Sequence, residues 1–159
     1  MSDALPILTQ RRIEAAFAKG IYDEMKAELG EAAAKRILAS AVIKLAKQTA
    51  AEMAKEAPGA EPSLDSFRAI QPRWTAEDAL RTEVVKSTDT DFHFNVTRCR
   101  YAEMYRAMGL SELGALLSCN RDAAFCEGYD PRLKLERTQT LMAGATHCDF
   151  RYRWTEAGE

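Results

Sequence analysis

The spacing of apolar residues changes character once along this chain, and that change limits the folds open to it. Ile13, Phe17, Ile21, Met25 and Leu29 recur every fourth position, with lysines and glutamates between them. This is the period of a helix with one apolar stripe, and it predicts a helix over residues 8–29, softened at Gly20 and stopped at Gly30. A second, alanine-rich helix is predicted over residues 31–56. Its stripe is Leu38, Ala41, Val42, Leu45, Thr49 and Met53, and Pro58, Gly59 and Pro62 end it. Both stripes predict core faces that pack the helices on each other.

Residues 57–73 read as a proline-bearing connector with a turn of helix at 66–70, and Trp74–Asp78 as the start of a short helix with Thr75 as its N-cap. From residue 80 the period falls to two. Thr82–Lys86 is rich in strand formers, residues 88–91 form a turn, and Phe92–Arg98 alternates strictly, so a hairpin is expected. Helical spacing returns at 99–108, at 111–117 with Ser111 as N-cap, and at 121–127 with a stop at Gly128. Two further strands, 132–142 and 147–155, flank a bend at Ala143–Ala145. The order predicts an α+β fold: an N-terminal helical pair, then an antiparallel sheet of about four strands interrupted by short helices. At 159 residues the chain is expected to be one domain, 1–159, with a helical part over 1–57 and a motif-bearing core over 80–155.

Several function classes are set aside by composition. A formal net charge of -2 gives no reason to expect nucleic acid. No apolar run reaches the roughly 18 residues of a membrane span, and Met1–Pro6 lacks the basic-then-apolar layout of a secretion signal. A cytoplasmic protein acting on a small molecule is the expectation. The alanine-rich amphipathic helices offer a surface for pairing between copies. Cys99, Cys119, Cys126 and Cys148 include no Cys-x-x-Cys pair, so reduced thiols are expected, with no metal and no cofactor.

Chemistry-bearing side chains crowd into the second half. Cys99 sits where a strand hands over to a helix, a position predicted to lower its thiol pKa. Glu103, one turn on, could hold an amino group or move protons. Cys119 and Asp122 are three apart and share a helix face, although Asp122 could equally serve as an N-terminal helix charge. On the last strand, parity puts Cys148, Phe150, Tyr152 and Trp154 on one face and His147, Asp149, Arg151 and Arg153 on the other. Arg137, with the Thr138 and Thr140 hydroxyls beside it, is the preferred anchor for a substrate carboxylate. Cys126 is read as packing, and His93 as a surface strand residue.

The blocks Asn95–Glu103, Met108-Gly109-Leu110-x-Glu112-Leu113-Gly114, Cys119-x-x-Asp122, Arg137–Thr140 and Cys148–Arg151 resemble the L-2-amino-thiazoline-4-carboxylic acid hydrolase family. The resemblance covers roughly residues 80–155 and implies hydrolytic opening of a small cyclic amidine-like ring, as of the aminothiazoline carboxylate to N-carbamoyl-cysteine. It implies Cys99, Glu103, Cys119, Asp122, Cys148 and Asp149 as the catalytic group and Arg137 and Thr138 as substrate contacts. Either water or a thiolate could attack. The layout also looks similar to small sensory domains, which leaves a non-catalytic ligand-binding module as the alternative; three thiols with Asp122 or His147 leave a metal-thiolate protein as another.

Overall fold

The computed structural model describes residues 4–157; Met1–Asp3, part of the stretch read for a secretion signal, lie outside them. Two long helices, α1 (Ile7–Leu29) and α2 (Glu31–Lys55), form an antiparallel hairpin that turns at Gly30, whose φ of 85° favours glycine. Short helices α3 (Leu64–Ile70) and α4 (Pro72–Thr75) lead into strands β1 (Leu80–Ser87) and β2 (Asp91–Cys99). Helix α5 (Arg100–Ala107), a π-helical turn at Ala115–Cys119 and helix α6 (Asn120–Tyr129) follow, then β3 (Leu133–Glu136) and β4 (Cys148–Trp154). The sheet is antiparallel with order β1-β2-β4-β3. The α+β class and the four strands are as expected. Among the described residues no helix is long and apolar enough to cross a membrane.

Several elements differ from the sequence expectation. α3 begins at Leu64 because Ser63 and Ser66 form a reciprocal capping box. Thr75 ends α4, which Pro72 opens where a missing N–H costs nothing, and it also stands at the N-cap position of a 3-10 turn at Ala76–Asp78, although its side chain makes no capping hydrogen bond there. Ser111 caps nothing, and the backbone runs from a turn through the π-helical stretch directly into α6. The third strand stops at Glu136. Beyond it the chain is drawn away to serve Asp122 and Asp149, as described below.

The largest correction concerns the helix stripes. On α1 the buried residues are Leu8, Ala15 and Tyr22, while Ile13, Phe17, Ile21 and Leu29 are exposed. On α2 the buried row is Ala34, Leu38, Val42, Ala46, Ala50 and Ala54. Many of these buried positions are alanines, which a search for large apolar residues passes over.

α6 crosses α2 at the alanine row, and Gly128 makes that possible. A Cβ at Gly128 would stand 2.4 Å from the Lys47 carbonyl oxygen and 2.6 Å from its Cα, both backbone atoms. α6 therefore runs through Gly128 instead of stopping there. The inner sheet face, with Phe94, Val96, Cys148, Phe150 and Tyr152, packs against Ala50 and Ala54 of α2, Leu64 and Phe67 of α3, and Cys126 and Tyr129 of α6. A second cluster lies between α1, α2 and α5, and Leu80 and Cys99 touch both. The outer sheet face carries polar Asp91, His93, Asn95, Asp149 and Arg151.

Gly128→Ala is expected to destabilise the fold by about 1–3 kcal/mol, because the overlap is with backbone that cannot rotate away. Urea unfolding followed by far-UV circular dichroism checks it; an unchanged midpoint contradicts the close approach of α6 to α2.

Candidate functional site

Between the inner sheet face and the helices lies a cavity of about 290 Å³. Phe67, Trp74, Phe94, Phe125, Phe150 and Tyr152 supply an aromatic wall, in which Phe94 stacks on Phe150 at 5.1 Å across the β2–β4 pair. Leu45, Thr49 and Met53 of α2 also line it, so part of the stripe predicted to be core faces this space instead.

Residues from distant parts of the chain meet here. Cys99 arrives at the end of β2, Cys119 and Asp122 from the π turn and α6, Arg137 from the segment after β3, and Cys148 from the start of β4. Positions 118, 119, 122 and 125 follow helical spacing and share one face. Cys148 opposes Val96 in the β2–β4 register and lies on the buried aromatic face.

The electrostatics differ from the sequence expectation at Cys99. Its Sγ does cap α5, accepting a hydrogen bond from the Ala102 N–H at 3.4 Å. Burial outweighs that donor and pushes the thiol pKa up to about 11. Cys119 is pushed up to about 12, first by burial and then by the neighbouring Asp122. Cys148, whose Sγ accepts from the Leu141 N–H at 3.1 Å, is also raised by burial. All three are thiols rather than thiolates at neutral pH.

Asp122 forms an ion pair with Arg137, and the guanidinium also donates to the Cys119 carbonyl oxygen at 3.1 Å and lies 5.1 Å over the Phe150 ring. Desolvation raises the Asp122 pKa above the ordinary carboxylate range despite Arg137, with Arg11 and Arg121 opposing it more weakly. Two nitrogens of the Arg137 guanidinium are thus engaged within the protein.

Three residues expected in the site lie elsewhere. Glu103 is exposed and held by Arg98, with Nε–Oε1 at 2.9 Å and Nη2–Oε2 at 3.3 Å, which lowers its pKa. Asp149 points to the outer face and accepts hydrogen bonds from the Thr138 N–H and hydroxyl and from the Gln139 N–H at 3.0 Å. Burial would raise its pKa, but these donors win and lower it. Thr138 is exposed and bound to Asp149, so both act as a clasp for the loop that delivers Arg137.

A polar group missed in the sequence completes the lining. Glu14 of α1 receives Arg11 at 2.9 Å and Arg121 of α6 at 3.0 Å, and all three border the cavity. With Asp122 and Arg137, three guanidinium groups face two carboxylates there. The signal was an arginine on the same side of α1 as the buried residues Ala15 and Tyr22. Among the described residues no group of three or more His, Cys, Asp or Glu side chains is placed to hold a metal ion.

The sequence model of the L-2-amino-thiazoline-4-carboxylic acid hydrolase family matches residues 10–152. The chain belongs to that family. The match takes in α1 and α2 as well as the sheet, so it extends beyond the blocks seen in residues 80–155. No curated protein sequence matches the chain. Among solved structures, it is similar to the phenol-responsive sensory domain of the transcription activator PoxR with phenol, at 14% identity and a TM-score of 0.55. That likeness covers 91% of this chain and 76% of the other. It is also similar to trafficking protein particle complex subunit 3 from Naegleria fowleri covalently bound to palmitic acid, at 12% identity and TM-score 0.54, covering 93% and 96%. At these identities the likeness is one of fold.

Asp149→Ala removes three hydrogen bonds to a charged acceptor and is expected to cost about 1–3 kcal/mol. The wild-type contribution is present above the unfolded-state carboxylate pKa and is lost as pH falls through the lowered folded value. Thermal melts at pH 7 and at acid pH check this; equal losses at both would contradict the clasp.

Proposed function

We propose that this chain is a hydrolase that opens a small cyclic amidine-like ring bearing a carboxylate, as in the conversion of L-2-amino-thiazoline-4-carboxylate to N-carbamoyl-cysteine. The observation carrying this reading is the Asp122–Arg137 pair, enclosed with three thiols against an aromatic wall in a chain of this family. Asp122 is the general base. Burial raises its pKa, which makes it a stronger proton acceptor than an ordinary carboxylate, and the ion pair with Arg137 opposes that rise.

Water is the nucleophile this geometry favours. Thiols with pKa values near 11 and 12 carry little thiolate at pH 7. The substrate reacts as the amidinium, its ring nitrogen already protonated. As the water oxygen bonds to the amidinium carbon and the C=N electron pair moves onto that nitrogen, Asp122 takes the water proton. The carbon–sulfur bond then breaks, the sulfur leaves with the electron pair and takes the proton from Asp122, and the new hydroxyl becomes the urea carbonyl as its own proton passes to solvent. Arg11 and Arg121 share the single carboxylate of Glu14, and Arg121 also donates from Nε to the Leu117 carbonyl oxygen at 2.6 Å; the guanidinium N–H groups these bonds leave over are the donors that hold the substrate carboxylate. The cysteines pack around the ring sulfur, polarisable groups on a polarisable atom.

A second reading, a binding module without turnover, draws support from the aromatic wall and from the fold shared with a phenol-responsive sensory domain. The two differ in whether ligand is consumed.

Incubation with L-2-amino-thiazoline-4-carboxylate, read as released thiol and as the mass of the ureido product, separates them. Asp122→Asn is expected to lower kcat/KM by about 10²–10⁴ and to remove the acid limb of its pH profile. In the wild type that limb falls as pH drops through a carboxylate pKa above 3.8. Cys99→Ala, Cys119→Ala and Cys148→Ala should each keep turnover; loss of all activity in one of them would show thiol attack instead. Tight binding with no product would establish the sensory reading.

Arg121→Gln is expected to raise KM about 10–100-fold with a smaller effect on kcat. A kcat loss with unchanged KM would remove Arg121 from carboxylate binding.

A further inference from the structure

The outer side of α1 carries a stripe of large apolar residues that the fold leaves uncovered. Ile13, Phe17 and Ile21 are 57%, 75% and 46% exposed, and they stand four apart on one stripe. Beside this ridge runs a shoulder of small exposed residues, Ala16, Gly20 and Ala27. Gly20 is among the poorest helix formers at a mid-helix position, and nothing lies within 4 Å of the place its Cβ would take. No contact within the described chain accounts for either feature.

We propose that this face is the contact between two copies of the chain, packed as an antiparallel α1–α1 pair about a two-fold axis through Phe17. A large ridge and a small-residue shoulder side by side on one helix are self-complementary under such an axis, since each patch must meet itself turned around. Phe17 meets Phe17, Ile13 of one copy lies against Ile21 of the other, and Gly20 lets the two backbones approach.

Charge points to the same occupant. α1 carries four basic residues, Arg11, Arg12, Lys19 and Lys26, and four acidic ones, Glu14, Asp23, Glu24 and Glu28. Arg12 and Asp23 lie on the same shoulder at opposite ends of the stripe. The two-fold operation sets Arg12 of each copy toward Asp23 of the other. A helix that lies on an anionic membrane surface instead shows an excess of Lys and Arg beside its apolar stripe, which this balanced set lacks.

Sedimentation equilibrium over a concentration series tests the proposal. The expected species has twice the 17.7 kDa chain mass, and Phe17→Glu or Ile21→Lys raises the dissociation constant about thirtyfold or more. Both substitutions are at exposed positions, and unchanged circular dichroism reports an intact fold. Phe17→Cys should oxidise to a covalent dimer across the axis, whereas Lys44→Cys, exposed on α2, should not. A wild type that stays monomeric at every concentration overturns the proposal, as does a dimer that persists in both variants or a Phe17→Cys chain that fails to cross-link. Partition of a monomeric chain onto anionic vesicles would overturn it in favour of a lipid surface.

Discussion

Everything in the cavity depends on how closely α6 lies on α2. The Gly128 backbone rests on the Lys47 backbone, and an alanine row on α2 leaves no bulk to hold the helices apart. That contact fixes the position of α6, which carries Asp122 and Phe125 and begins just after Cys119, while the sheet holds the opposite wall. A bulkier residue at Gly128 would move α6 and the residues it presents. The space between α6 and the inner sheet face is therefore set by a contact outside the cavity.

Within that space burial governs the chemistry. It raises the pKa of the three thiols, which keeps them neutral, and raises that of Asp122, because removing water penalises whichever form is charged. Arg137 opposes the rise at Asp122 through their ion pair, and the Asp149–Thr138 clasp holds the segment from which Arg137 projects. The charge left over belongs to Arg11 and Arg121, which share one glutamate. A fold is compatible with many activities, and the side chains that line its cavity set which one it carries.

The strand alternation at Phe92–Arg98 and 147–154 was legible because side chains on a strand simply alternate faces, and burial follows the aromatic side. Cys148 was placed on that side by parity alone. The helices resisted the same treatment. On α1 the four-residue spacing of Ile13, Phe17 and Ile21 marked a real stripe but the wrong side of the helix, since Ala15 and Tyr22 form the packed face. Glu103 looked catalytic because it follows Cys99 by one turn, yet Arg98 draws it outward to the surface. Arg11, Glu14 and Arg121 went unnoticed because more than a hundred residues separate Arg121 from its partner.

The sequence by itself determined the class of fold, the order of its elements, the family, and the cysteine and acidic residues from which a site could be drawn. These follow from local periodicity and residue type, which act over a few positions of the chain. Only the tertiary structure decided which groups share a cavity, which are spent on surface pairs, and which charge states they hold. Those depend on distances and dehydration between segments far apart in the chain, and one glycine-mediated helix contact sets the separation that governs them.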